Sequence, residues 1–131
     1  MPGPITDADL QTALPDVTSA MSFAGLDGPI TIHRDEWGIP HIKAQSEHDA
    51  FFAQGFVTAQ DRLFHMEYDR LRALGRWSEW AGPRALKEDR LMRSLSLERA
   101  AKADLAATRP DAQAMVEALT DGINAFIDTT K

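Results

Sequence analysis

The chain has 131 residues, with 14 Lys+Arg against 20 Asp+Glu for a formal net charge of −6; that balance argues against a non-specific nucleic-acid binder, which needs a concentrated basic face for phosphates. With 44% hydrophobic and 26% charged residues and only 8 Gly and 7 Pro, the composition is that of a folded protein of single-domain size, neither disordered nor fibrous, and one core is possible. No apolar run approaches the ~20 residues of a membrane helix, and the absence of cysteine excludes disulfides, thiolate zinc sites and a cysteine nucleophile while leaving the redox compartment open.

The opening Met1-Pro2-Gly3-Pro4-Ile5-Thr6-Asp7 has neither a basic n-region nor an apolar h-region, so it does not read as a secretory signal. With Met1 as the natural start the expected location is the cytoplasm, and the periplasm if a signal has been removed. Thr6 is placed to cap a short helix running to Leu14, where Pro15 stops it. Val17, Ser19, Met21 and Phe23 recur with a period of two and predict a half-buried strand. Asp27-Gly28-Pro29 reads as a turn. Ile30 to Arg34 predicts a second strand, Trp37-Gly38 a break, and Ile39 to Lys43 a third strand carrying Pro40 near its start, together a small antiparallel meander.

Ser46 followed by Asp49 resembles a capping box. Behind it Phe52, Phe56, Ala59, Leu63 and Met66 recur at spacings of three and four, predicting an amphipathic helix over 46–74 that Gly75 ends. Gly82-Pro83 breaks the chain. Leu86 to Leu95 predicts a second helix, Ser96 a cap for a third running to Thr108, and Pro110 the first turn of a last one. That last helix carries Met115, Leu119, Ile123, Phe126 and Ile127 on one face, with Gly122 as a weak helix former inside it. No internal repeat or low-complexity tract is visible. The whole is one segment, 1–131, with an extension and first strand in 1–29, strands in 30–44 and helices in 46–128.

The histidines His33, His41, His48 and His65 match neither the paired spacing of a zincin nor a zinc finger, so a metal reading is secondary. Asp61 and His65 lie four apart on the long helix and read as a helix-stabilising pair rather than a catalytic dyad. Gln60-Asp61-Arg62 with Glu67, Asp69, Arg70 and Arg72 reads as a solvated charged face. Arg62 and Arg70 would need carboxylate partners if a second chain covered the helix. Trp77 and Trp80 read as core or interface indoles. There is no phosphate loop, carboxylate pair with a supporting motif or nucleophile elbow; the residues alone do not form a complete active site.

Two segments, Ile30-Thr31-Ile32-His33-Arg34-Asp35-Glu36-Trp37-Gly38-Ile39-Pro40-His41-Ile42 and Ala59-Gln60-Asp61-Arg62-Leu63-Phe64-His65-Met66-Glu67, closely resemble the start of the penicillin acylase family. Gly55-Phe56-Val57, then Gly75, Glu79 and Gly82, then Asp121-Gly122-Ile123-Asn124-Ala125-Phe126 agree in order and spacing. The family includes penicillin G, cephalosporin and glutaryl acylases and acyl-homoserine lactone acylases. The resemblance implies an N-terminal nucleophile hydrolase of four-layer αββα fold, an α+β architecture in which this chain is mostly helical with a short β meander. It further implies one precursor cut autoproteolytically into α and β chains.

In such an enzyme the nucleophile is the serine at the N-terminus of the β chain, with its own α-amino group as base, and the oxyanion-hole donors also come from the β chain. The resemblance therefore implies no catalytic, metal or cofactor residue in this chain, unknown substrate-binding residues, and calcium, where present, in the β chain. Arg34, Asp35, Gly38, Pro40, His41, Gln60, Asp61 and Arg62 carry over as framework. Family α chains commonly continue past the counterpart of Asp111 to Asp128 with an acyl-pocket segment, so this chain is expected to be the α chain or its first part. The expected partners are the β chain and a small-molecule amide, without nucleic acid or membrane.

Arg72-Ala73-Leu74-Gly75-Arg76 with Glu79-Trp80, and the opening stretch, look most like the cephalosporin branch; acyl-homoserine lactone acylase is the alternative. The rival from another class is a non-enzymatic helical interaction module with the tryptophans as its hot spot. Phe51, Phe52, Phe56, Phe64 and Met66, with two indoles, suggest surface buried against a partner.

Overall fold

A computed structural model describes residues 3–130. Its elements are α1 (Asp7–Thr12), β1 (Thr31–Arg34), β2 (Pro40–Lys43), α2 (Glu47–Ala73), α3 (Ser78–Ala81), a 3-10 turn (Pro83–Ala85), α4 (Leu86–Leu95), α5 (Leu97–Ala107) and α6 (Pro110–Thr129). The chain is mostly helical, with one two-stranded antiparallel sheet.

The long helix α2 is the spine, and α6 crosses it. Their contact is set by two glycines. A Cβ on Gly55 would overlap the Leu119 carbonyl oxygen and sit 2.8 Å from its carbon; a Cβ on Gly122 would overlap the Phe52 carbonyl oxygen and lie 2.9 Å from the Phe56 nitrogen. The backbones thus meet with no side chain between them, and Gly122, a weak helix former, is where α6 touches α2. Around this crossing Phe56, Val57, Ala59 and Phe126 are buried, Phe56 and Phe126 meeting edge-to-face at 5.5 Å. The predicted apolar stripe of α2 is observed, Phe52, Phe56 and Ala59 being buried and Leu63 and Met66 half-buried. On α6 the predicted large residues Met115, Leu119, Ile123 and Ile127 are only half-buried. The buried line there is Ala118, Gly122 and Phe126, because a close crossing puts small residues at its centre.

Helix ends follow local chemistry. Thr6 and Asp9 form a complete capping box, and α1 ends at Thr12, two positions before Leu14. At Ser46 only half of the expected box forms. The Ser46 hydroxyl accepts from the Asp49 N–H at 3.1 Å, while the Asp49 carboxylate turns away to the Asp27 and Gly28 N–H groups. α2 ends as Gly75 predicts: Gly75 has φ 64°, and the Gly75 and Arg76 N–H groups donate to the Arg72 and Leu71 carbonyls, the Schellman pattern. Inside α2, Arg62 is non-helical at φ −141°, ψ 23° and kinks the helix. Ser96 does not cap α5; it is left-handed at φ 55° and gives α5 no side-chain hydrogen bond. Pro110 opens α6 as expected.

The β region differs from the expected three-stranded meander. Val17 to Phe23 forms no strand: Val17, Ser19 and Met21 are exposed, and only Phe23 packs, against Phe52 and Phe56 at 5.7 and 5.3 Å. Period-two patterning makes a strand only where another strand supplies bonding partners. β1 and β2 pair in the register Thr31↔Lys43 to Arg34↔Pro40. Their loop is shaped by Gly38 at φ 76°, whose N–H donates to the Asp35 carbonyl at 2.9 Å.

Gly122→Ala and Gly55→Ala should each lower the unfolding temperature of the purified native protein by several degrees, since overpacking against fixed backbone costs about 1–3 kcal/mol or more. Gly3→Ala, with open space around it, should leave it unchanged. Equal melting of all three variants would overturn the close-crossing account.

Candidate functional site

The two motif segments meet at Arg34. This side chain leaves the end of β1 and reaches α2, where its Nη1 and Nη2 donate to the two Asp61 carboxylate oxygens at 3.1 and 2.8 Å. Nη2 also donates to Gln60 Oε1 at 2.7 Å, and Nη1 to the Gly38 carbonyl at 2.8 Å. The planar guanidinium forks onto carboxylate and loop at once, a geometry lysine lacks. Gln60 passes the link on, its amide donating to the Asp16 carbonyl at 2.8 Å. One α2 turn therefore holds hairpin, hairpin loop and N-terminal stretch together.

Asp35 organises the loop itself. Its Oδ1 accepts from the Trp37 and Ile39 N–H groups at 2.9 Å, and its Oδ2 lies 3.0 Å from His41 Nε2. The His41 contact, then the Ile39 N–H, hold the Asp35 carboxyl below its usual value, against a smaller opposing push from burial.

Two further carboxylates are buried. Asp49, 0% exposed, accepts from the Asp27 and Gly28 N–H groups at 3.0 Å and contacts His48 Nδ1 at 3.0 Å. The His48 contact is the largest cause of its lowered pKa; burial opposes it, and the two backbone N–H groups add to it. Asp89, 4% exposed, accepts from the Trp77 and Ser78 N–H groups at 2.9 and 2.8 Å. Burial pushes its carboxyl up, but the Ser78 and Trp77 bonds and the nearby Arg93 outweigh that and leave it lowered. Both fasten a loop to a helix. Neither role is visible in sequence, where each residue looks like an ordinary first-turn acid.

The other expected contacts rearrange. Asp61 and His65 do not pair: Asp61 is taken by Arg34, and His65 Nε2 lies 3.2 Å from Asp69 one turn on. Arg70 pairs with Glu67 at 2.6 Å, while Arg62 is exposed at the kink. Trp77 packs edge-to-face on Tyr68 at 4.8 Å, and Trp80 stacks on Phe64 at 5.7 Å. Phe64 remains 70% exposed and Trp80 51%, so this pair is a surface patch rather than core.

His33 and His41 are register partners on the hairpin. Among the described residues the one group able to bring three metal-ligand atoms together is Asp27, His48 and Asp49. It fits a cation poorly, because the Asp49 oxygens already face two backbone donors and the His48 ring. The serine and threonine hydroxyls that donate among the described residues do so to backbone carbonyls and to the Asp9 and Asp16 carboxylates, while Arg34, Asp35, Asp49 and Asp89 tether segments to one another.

The class defined here is a helix-and-hairpin scaffold built on two sequence motifs joined by Arg34 and Asp61. The penicillin amidase family model matches residues 29–131, and the chain belongs to that family. It is 48% identical over 118 residues to a penicillin acylase 2 proenzyme of Pseudomonas sp. (strain SE83), covering 90% of this chain and 15% of that protein. It is 38% identical over 115 residues to an acyl-homoserine lactone acylase of Pseudomonas aeruginosa, covering 88% and 14%. Among solved structures it matches a thermostable penicillin G acylase from Alcaligenes faecalis with TM-score 0.69 and 28% identity, over 77% of this chain and 54% of that one. The chain thus spans about 15% of the length of these curated relatives.

Two outcomes follow. Arg34→Lys and Asp61→Asn in a double-mutant cycle on the native protein should show coupling of about 1 kcal/mol or more in unfolding free energy, from paired charge-assisted bonds; additive effects would remove Arg34 as the joint. The lowered Asp35, Asp49 and Asp89 carboxyls contribute stability that is fully present above about pH 4 and lost as pH falls through their folded values. Melting temperature should hold from pH 7 to 5 and fall below pH 4, with a flatter acid limb in Asp49→Asn and Asp89→Asn. An unchanged acid limb in both variants would show that these carboxylates do not carry it.

Proposed function

We propose that this chain is the α chain, or its first part, of a penicillin-acylase-like amidohydrolase with the four-layer αββα fold of N-terminal nucleophile hydrolases. The enzyme hydrolyses a side-chain amide to a carboxylic acid and an amine. The observation that carries this reading is the Arg34 joint: the two segments that resemble the family are separated in sequence and are bonded to each other in the fold. The naming of one relative as a proenzyme supports a precursor cut into two chains. In this reading the nucleophile is the N-terminal serine of the β chain. Its free amine, with a pKa near 8, takes the hydroxyl proton as the serine attacks the amide carbonyl, and this chain positions the partner that carries them. Any calcium resides in the β chain.

A penicillin- or cephalosporin-type amide is the favoured substrate, on the 48% identity to a penicillin acylase. An N-acyl-homoserine lactone is the second reading, on the 38% identity to an enzyme of that name.

Intact mass and N-terminal sequencing of the protein purified under native conditions should reveal a stoichiometric heavier chain beginning with serine. Replacing that serine by alanine should reduce amide turnover by about 10⁶-fold, as loss of a nucleophile does. Release of amine from penicillin and cephalosporin amides and from acyl-homoserine lactones then decides between the substrate classes. This chain alone, folded and monodisperse, would overturn the proposal in favour of an interaction module.

A further inference from the structure

A groove of about 580 Å³ runs between the stretch 16–23 and β1. Val17 and Met21 form one wall, Ile30 and Ile32 the other, and Phe52 and Phe56 the floor; no β2 residue lines it. The groove therefore follows the edge of β1 that β2 leaves free. The register says which backbone groups face it. The Asp35 N–H donates to the Ile39 carbonyl at 3.2 Å, so those two residues are a bonded pair, and bonded and non-bonded pairs alternate along an antiparallel ladder. His33↔His41 and Thr31↔Lys43 are then bonded, while Arg34↔Pro40 and Ile32↔Ile42 are not. Pro40, which has no N–H, agrees with that assignment. By that alternation the N–H and C=O groups of Ile32 and Arg34 point away from β2 and toward the groove, and no turn or loop backbone group among the described residues bonds them.

We propose that an extended segment from the part of the precursor outside these 131 residues adds to β1 as a further strand. It bonds the backbone of Ile32 and Arg34 and lays apolar side chains over Phe52 and Phe56. The inference rests on the reading of this chain as one portion of a longer precursor.

The occupant follows from length and chemistry. The chain spans 15% of one relative and 12% of another, so most of such a polypeptide lies outside it. A two-stranded ribbon is marginal in water, whereas sheets usually have about four to six strands. The walls suit an apolar strand, with Val17 55%, Met21 42% and Ile32 39% exposed. The stretch forming the far wall is held by Gln60 at Asp16, by the packing of Phe23 on Phe52 and Phe56, and beyond it by Asp49 at Asp27 and Gly28. Between Asp16 and Asp27 it makes no backbone–backbone bond among the described residues; the Thr18 and Ser19 N–H groups donate to the Asp16 carboxylate, and the main chain beyond them can face an incoming strand. Main-chain bonding with alternate side chains seated in an apolar floor is how strand addition achieves both affinity and specificity.

Hydrogen exchange on the full-length native protein tests this at single amides. The Ile32 and Arg34 N–H groups should exchange at least ~100-fold more slowly than their intrinsic rates, as buried ladder amides do. Ile32→Pro deletes a donor on the free edge and leaves the β1–β2 bonds intact; it should weaken retention of the heavier chain at least tenfold. A heavier chain that co-purifies while both amides exchange at intrinsic rates, with Ile32→Pro retaining it normally, would overturn the strand addition and leave the acylase reading standing. Absence of any heavier chain from the wild-type preparation would overturn both. Protected amides in an assembly of this chain alone would instead assign the edge to a second copy and overturn the proposal.

Discussion

The closest constraint in this structure is the contact of two backbones at Gly55 and Gly122. Helix axes normally pack 8–10 Å apart, a distance set by the side chains between them; here each glycine lies against the carbonyl of the other helix. That closeness brings Phe56 and Phe126 into edge-to-face contact and leaves Ala59 fully buried beside them. It also fixes the roll of α2, and with it the directions of Asp49 and Gln60–Asp61, the positions that reach for the rest of the chain. A shift of α6 by one Cβ would be felt first in this crossing and then in everything α2 anchors.

From that spine the irregular parts are attached by one recurring device, a side chain that reaches main-chain groups of another segment. Asp49 holds the turn at Asp27 and Gly28. Asp89 holds the start of α3, and Gln60 holds Asp16. Arg34 reverses the polarity, carrying a guanidinium from the hairpin to carboxylate and amide oxygens on α2. The buried acids are satisfied: among the described residues no buried side-chain nitrogen or oxygen lacks a partner. An unpaired buried carboxylate would be strongly destabilising, whereas one accepting two backbone N–H groups ties down a loop that has little apolar surface of its own.

How much of this was legible in the sequence depended on the range of the interaction. The stripe of Phe52, Phe56 and Ala59, the stop at Gly75 and the start at Pro110 are local in chain position, and each appears where periodicity and capping put it. The motifs around Arg34 and Asp61 were readable as framework by resemblance, but their mutual bond was not, because it spans 27 positions. Spacing along the helix instead pairs Asp61 with His65, four residues away and geometrically available. The pairing fails because a guanidinium from another element offers two strong donors. Likewise the spacing of Ser46 and Asp49 reads as a capping box, since nothing near Asp49 in sequence announces the backbone at Asp27. In sequence Gly122 is only a weak helix former, and the reason for it, the carbonyl of another helix at that spot, lies outside any window of sequence.

Val17 to Phe23 has the alternation of a strand without being one. Its alternation is present, but alternation describes which side chains share a face, and a strand exists only when its backbone groups find a ladder. Here the stretch is clamped at both ends, with Phe23 settled on the core and exposed Val17 and Met21 beside a groove. The opposite wall is a hairpin edge with outward-facing amides. The exposed Phe64–Trp80 stack, on the half of α2 beyond the kink at Arg62, belongs to the same pattern. In both places apolar side chains stand beside ordered elements that this chain does not cover. The helices are closed on one another at Gly55 and Gly122, while β1 pairs only with β2 among the described residues, leaving the free edge that the proposed strand addition uses.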